Sequence, residues 1–137
     1  MELDDKLFEE ITYHTDSGEK FFEKGRFKEA IEEYNKAFDL IPEPKTNWDA
    51  SVWTLAAIGD GHFMLKDYGT ALEYFRKLMT EYEEVGNPFI RLRYGECLYE
   101  TGELQAAKEH LFAAYMMEGK DIFDHRKYLT FIADLIK

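Results

Sequence analysis

The chain has 137 residues, 45% hydrophobic and 16% aromatic, which suits one domain with a proper core and excludes a disordered polymer. Acidic residues outnumber basic ones 28 to 17, and the resulting formal charge of -11 excludes nucleic acid and anionic lipid as natural partners while favouring a basic one. Cys97 is the single cysteine, so neither an internal disulfide nor a zinc site built on two thiolates is available.

At the amino terminus MELDDKLFEE is acidic and amphipathic, where a secretory signal would be basic and then continuously apolar. No run approaches the ~18 apolar residues of a membrane span. The expected setting is cytoplasmic, without a membrane. Leu3, Leu7, Ile11, His14, Gly18 and Phe21 keep a three-and-four spacing, which predicts a long first helix beginning near Asp4. EKGRF turns the chain, and GRFKEAIEEYNKAFDLIP supplies the second helix. An insertion around EPKTNW follows, with Thr46 or Asn47 as the expected N-cap of the third helix. LKDYG and ETGEL are the corners of two further helix pairs. Behind Asp124, a second expected N-cap, Tyr128, Phe131, Ile132, Leu135 and Ile136 form the apolar stripe of a final covering helix.

The same grammar recurs along these elements. Gly18, Gly59 and Gly95 each stand twelve residues before an alanine, Ala30, Ala71 and Ala107. Phe27, Tyr68 and Leu104 come three before those alanines; Tyr34, Phe75 and Leu111 four after; Ala37, Leu78 and Ala114 seven after. Small and large residues in matching places are what helix packing into a neighbour's groove requires. This pattern resembles the tetratricopeptide repeat, a helix hairpin with small residues at its crossings and a proline after its second helix. Pro42 fills that closing place in the first unit, and Glu83 and Gly119 replace it in the others. The resemblance implies an all-α helical-hairpin solenoid of about seven helices, one domain over 1–137 with repeats at about 4–42, 47–84 and 88–119 and a capping helix at about 124–137.

Catalytic chemistry has little to stand on. In GDGHF, Asp60 and His62 are two apart on a helix and point in different directions. His14 and His62 fall in packing positions, and no two histidines are three or four apart as helical metal ligands would be. Cys97, inside the fifth helix, has no neighbouring base to lower its pKa. No catalytic residue, metal site or cofactor is expected.

In the family the first helix of each repeat lines the concave face where partners bind. On this chain the resemblance carries Glu19, Asp60 and Glu96 to that face, with Phe22, Phe63 and Tyr99 one turn further on. Asp16, Arg93, Trp53 and Phe89 complete the expected partner-binding set, an aromatic strip bordered by carboxylates. Members that clamp the acidic carboxyl terminus of heat-shock chaperones use lysine, arginine and asparagine in the places held here by Glu19, Asp60 and Glu96, so the sign is wrong for that ligand. WDASVWTLAAIGDGHFMLKDYGTALEYF and GNPFIRLRYGECLYETGELQAAKEHLFAAYMMEGKDIF further resemble small repeat proteins encoded beside bacterial Rhs-type and other polymorphic toxins. That resemblance implies an immunity protein whose partner is a basic toxin domain. The alternative is an adaptor or chaperone for a secreted or assembled protein, using the same groove.

Overall fold

The structure, a computed structural model, describes residues 3–136. Seven α-helices and no strand occur among the described residues: α1 (Asp5–Glu23), α2 (Phe27–Leu40), α3 (Asp49–Met64), α4 (Tyr68–Thr80), α5 (Pro88–Glu100), α6 (Leu104–Glu118) and α7 (Arg126–Phe131). They fall into two packed units, the first running to Asp67 and the second starting at Tyr68.

The first unit starts where its sequence signals. Asp4 caps α1, its carboxylate accepting from the Lys6 backbone N–H at 3.2 Å. Helix α1 packs on α2, and α2 on α3. Gly18 is the contact that lets α1 approach: a Cβ there would lie 2.6 Å from Cε1 of Tyr34. Gly61, which its neighbour Gly59 overshadows in the sequence pattern, does the same for α3, where a Cβ would meet Ile31 Cγ1 at 2.6 Å. Ile11, Ala37 and Ile41 form a buried cluster, with Leu3, Leu7, Phe38 and Trp48 packed around it.

The EPKTNW insertion is tied back onto the end of α2. A cis Glu43–Pro44 bond leads into a 3-10 turn, Lys45–Asn47. Lys45 Nζ donates to the carbonyls of Phe38 (2.8 Å) and Ile41 (2.5 Å), placing a cation where a helix end is short of partners and carries partial negative charge. The Trp48 indole N–H donates to Pro42 O at 2.9 Å. This corrects the expected N-cap of α3. Asn47 is spent in the 3-10 turn, its N–H donating to Pro44 O, and Trp48 takes the cap position in extended conformation without a side-chain hydrogen bond to the helix it starts.

One turn closes α1, α3 and α5 alike. Gly25, Lys66 and Gly102 all have positive φ (76°, 63° and 87°), and the next residue's N–H returns to a carbonyl five earlier: Arg26 to Phe21, Asp67 to His62 and Glu103 to Leu98, each at 2.9 Å. These are Schellman closures, in which a left-handed residue satisfies the last carbonyls of a helix. Two of the three use glycine; the middle one holds a lysine in a conformation that disfavours a Cβ.

In the second unit, α5 packs on α4 and α6. Asn87 caps α5, its side-chain oxygen accepting from Phe89 N (3.0 Å) and Ile90 N (3.2 Å), with Pro88 at the first helical position. At Gly95 an added Cβ would lie 2.9 Å from Leu111 Cγ and 3.1 Å from its backbone nitrogen. Glu83 and Gly119, the residues replacing the closing proline, both adopt positive φ (53° and 80°), a backbone conformation that a proline ring forbids. The covering helix is shorter than its stripe predicts. His125, not Asp124, precedes α7, and the helix ends at Phe131 before a 3-10 turn, Ala133–Leu135. Tyr128 and Ile132 are buried, whereas Leu135 is left exposed.

The repeat positions sort by burial. Ala30, Ala71, Ala107, Ala37, Leu78 and Ala114 are wholly buried, and Tyr34, Phe75 and Leu111 nearly or wholly so. Leu104, at the position of Phe27 and Tyr68, is exposed. Cys97 lies inside α5 with no solvent contact.

Candidate functional site

On α1 the three-and-four spacing places Thr15, Asp16, Glu19, Phe22 and Glu23 along one side, and on α3 it aligns Trp53, Ala57 and Asp60. These residues line two adjoining depressions in the first unit. One, of about 190 Å³, is bounded by Thr15, Asp16, Glu19, Tyr34, Trp53 and Ala57. The other, of about 230 Å³, is bounded by Glu19, Phe22, Glu23, Tyr34, Ala57 and Asp60. Glu19, Tyr34 and Ala57 are common to both.

Tyr34 reaches this cleft from α2. Only 6% of it is exposed, and its hydroxyl makes no hydrogen bond among the described residues. Burial, then the negative charge of Glu19, Asp60 and Glu23, pushes its pKa up to about 12, so the phenol stays protonated in any physiological buffer. Asp16, Glu19 and Glu23 form no ion pair among the described residues. Beyond Trp53 the surface continues into a wider depression of about 520 Å³ lined by Leu3, Asp5, Phe8, Trp48, Asp49 and Ala50. Trp53 and Phe8 are both more than half exposed there, at 55% and 57%. An exposed aromatic pair with carboxylates beside it is the composition of a binding surface rather than of a solvated helix face.

Five of the expected site residues, Asp16, Glu19, Phe22, Trp53 and Asp60, thus come together in the first unit. Phe22 is half-buried, its ring edge-on to Phe27 with centroids 4.9 Å apart. The expectation of an exposed aromatic in every repeat is corrected at Phe63, which is buried, and at Tyr99, whose ring packs edge-on against Tyr128 (5.4 Å) and Phe131 (4.9 Å) of the covering segment. Glu96 is corrected too: it is fully buried, with Oε1 2.8 Å from Nη1 of Arg93, so neither side chain is an open steering charge. Phe89 is exposed and lines a depression of the second unit with Glu83, Glu84, Asn87, Pro88 and Glu118. Sequence reasoning missed Tyr34 and Glu23 as cleft residues. Tyr34 sits at a repeat position that predicts packing, and nothing in a period distinguishes a ring that packs from a ring that also floors a cleft.

Other polar contacts do not converge on a reacting centre. His62 Nδ1 faces Asp67 at 3.4 Å, and His14 Nδ1 lies 3.2 Å from Glu33. Glu100 accepts from Tyr128 Oη (2.7 Å) and Lys127 Nζ (2.6 Å), linking α5 to α7. Among the described residues no three His, Cys, Asp or Glu side chains are placed to hold a metal ion.

Helix pairs closed by one turn, crossed at small residues and carrying an open aromatic-acidic cleft define a helical-repeat protein of the interaction type. The chain belongs to the tetratricopeptide repeat family, whose models match residues 9–84 and 62–121. Among curated proteins it is similar to heat shock protein STI1 of Saccharomyces cerevisiae, 26% identical over 86% of this chain and 20% of that protein. It is also 28% identical to the Hsp70-Hsp90 organizing protein of Triticum aestivum, over 93% of this chain and 22% of that one. The Arabidopsis thaliana Hsp70-Hsp90 organizing protein 1 is 27% identical over 93% and 23%. The chain therefore spans about a fifth of the length of these relatives. Its fold matches the second tetratricopeptide domain of human RPAP3, solved with the HSP70 peptide SGPTIEEVD, at a TM-score of 0.70 and 17% identity over 96% of this chain and 98% of that one. The first such domain of RPAP3 gives 0.68 and 17% over 93% and 90%.

Proposed function

We propose that this chain is a non-catalytic adaptor module that holds a segment of a partner protein in the cleft between α1 and α3. The observation that carries this reading is Trp53, exposed and lining two depressions whose walls supply Asp5, Asp49, Asp16 and Glu19. An accessible tryptophan among polar groups is a common anchor of a protein interface, and a cleft already formed loses little ordering entropy on binding. Relatives named for organising chaperones support the adaptor role. The sign of the cleft separates it from the ligand of the solved neighbour: SGPTIEEVD is acidic, and here it would meet carboxylates. The segment bound is instead apolar with basic charge.

Fluorescence anisotropy with labelled peptides tests this. Peptides combining lysine or arginine with an aromatic bind, SGPTIEEVD does not, and Trp53→Ala weakens the former by about 2 kcal/mol. Equal binding of acidic and basic peptides, or affinities untouched by Trp53→Ala, would overturn the reading. Neutralising a basic toxin domain is a second use of the same acidic face, supported by the charge of -11 and by resemblance to repeat proteins encoded beside toxin genes. Growth of cells expressing a candidate toxin domain, with and without this chain, decides it: no rescue leaves the adaptor.

A further inference from the structure

We infer that the wide depression between Phe8 and Trp53 seats one large apolar side chain of an extended partner segment, whose basic residues lie about four to five positions away from that anchor. This rests on the protein-binding reading above and adds which part of the groove each kind of residue occupies.

The anchor site is built from aromatic surface. Leu3, Phe8, Trp48 and Trp53 line a depression of about 520 Å³, within the range of small-ligand pockets. Phe8 and Trp53 are each more than half exposed, and neither ring meets another ring or a cation among the described residues. Two large rings left in water along one hollow carry a hydration cost that a seated apolar side chain removes. The third ring is fixed in advance: the Trp48 indole N–H is held by Pro42 O at 2.9 Å, so that wall needs no ordering when the anchor arrives.

Charge chooses the occupant. Asp5 and Asp49 line the same depression, Asp16 and Glu19 line the next one past Trp53, and none of the four forms an ion pair among the described residues. A second copy of this chain would bring its own charge of -11 and be repelled. A basic segment is attracted.

The helix sets the spacing. Trp53 lines both depressions, so the surface runs on from the aromatic one to the acidic one. Asp16 and Glu19 stand eight and eleven residues past Phe8 on α1, which is about 12 and 16.5 Å along the axis at the helical rise. An extended chain covers about 3.3 Å per residue, so it spans those distances in about four and five residues. A partner helix would need eight to eleven residues for the same reach, and a body about 10–12 Å across does not enter a hollow of about 190 Å³.

The test is fluorescence anisotropy of the full chain with labelled peptides held extended by a proline-rich host. Each carries one phenylalanine and one pair of lysines, set one, four, five or ten residues apart. Spacings of four and five bind about tenfold more tightly than one or ten. Phe8→Ala lowers the affinity of the best peptide about tenfold without moving the unfolding midpoint, since the ring removed is exposed. Asp16→Asn combined with Glu19→Gln lowers it several-fold and erases the dependence on spacing. Equal affinity at every spacing, or a Phe8→Ala variant that binds like wild type, overturns the inference; if Trp53→Ala still weakens those peptides, the adaptor reading survives it. An alanine-rich helical peptide with the same groups ten residues apart that outbinds the extended ones overturns it as well. So does a dimer, seen by sedimentation, that Phe8→Ala dissociates, because the depression then belongs to a second copy. If no peptide of any spacing binds, this inference and the adaptor reading fall together.

Discussion

Arg93 and Glu96 form an ion pair one turn apart on α5, 2.8 Å from Nη1 to Oε1, with the carboxylate wholly withdrawn from solvent. A charge held this way gives little net stability compared with an apolar pair, yet removing one partner strands the other. Glu96→Ala therefore destabilises by about 3–5 kcal/mol, while any change in peptide affinity follows from unfolding. Urea denaturation beside the binding assay separates the two. A Glu96→Ala protein as stable as wild type would show that the carboxylate is not buried in solution.

The glycine crossings differ in what they would have to displace. At Gly95 the three nearest obstacles include the Leu111 backbone nitrogen at 3.1 Å, whereas at Gly18 all three are atoms of the Tyr34 ring. A ring can tilt, and a helix backbone yields less. Gly95→Ala is expected to lose about 1–3 kcal/mol, more than the roughly 0.5–1 that alanine gains over glycine in a helix. Gly18→Ala costs less and moves Tyr34, visible as changed tyrosine chemical shifts. Equal unfolding midpoints for Gly95→Ala and wild type would remove the close crossing.

Lys66 holds the left-handed position that Gly25 and Gly102 hold elsewhere. A side chain there costs about 1–2 kcal/mol, of which glycine's freer unfolded chain cancels about 0.5–1. Lys66→Gly should raise stability by up to about 1 kcal/mol, and Gly102→Ala should lower it by a similar amount. Thermal unfolding of the two variants gives opposite signs; a shared sign would contradict the common turn.

Glu100 supplies the pH dependence. Burial by itself would raise its carboxyl, but the hydrogen bonds from Lys127 and Tyr128 outweigh burial and hold it below glutamate's ordinary 4.5. A lowered folded pKa means a contribution present in full above 4.5 and lost as the pH falls through the folded value. Glu100→Gln should cost about 1–3 kcal/mol at neutral pH, with the gap to wild type closing in acid. A gap independent of pH, read from urea midpoints, would mean that the carboxylate charge contributes nothing.

The alanines at the crossings were readable because a small residue at a fixed distance from a glycine has one packing use, and all three are buried to the last atom. The helix pairs follow from them. Aromatics at the same period were not readable in that way. Phe63 and Tyr99 match Phe22 in register, yet their exposure is decided by which side chains come to lie against them, and Tyr99 is covered by Tyr128 and Phe131 from the end of the chain. The start of α3 escaped for a local reason. Asn47 has the chemistry of a cap, but a 3-10 turn competing for its backbone moved the helix on to Asp49.

Cys97 turns the second unit into its own clock. It is the chain's single thiol, and it lies in α5 with no exposed surface, so a thiol reagent reaches it only during moments when that helix parts from its neighbours. When reclosing outruns alkylation, the labelling rate divided by that of an unfolded chain gives the opening equilibrium directly. The first unit carries no thiol to confuse the signal, and a single mass increment on the intact protein is enough to count the openings.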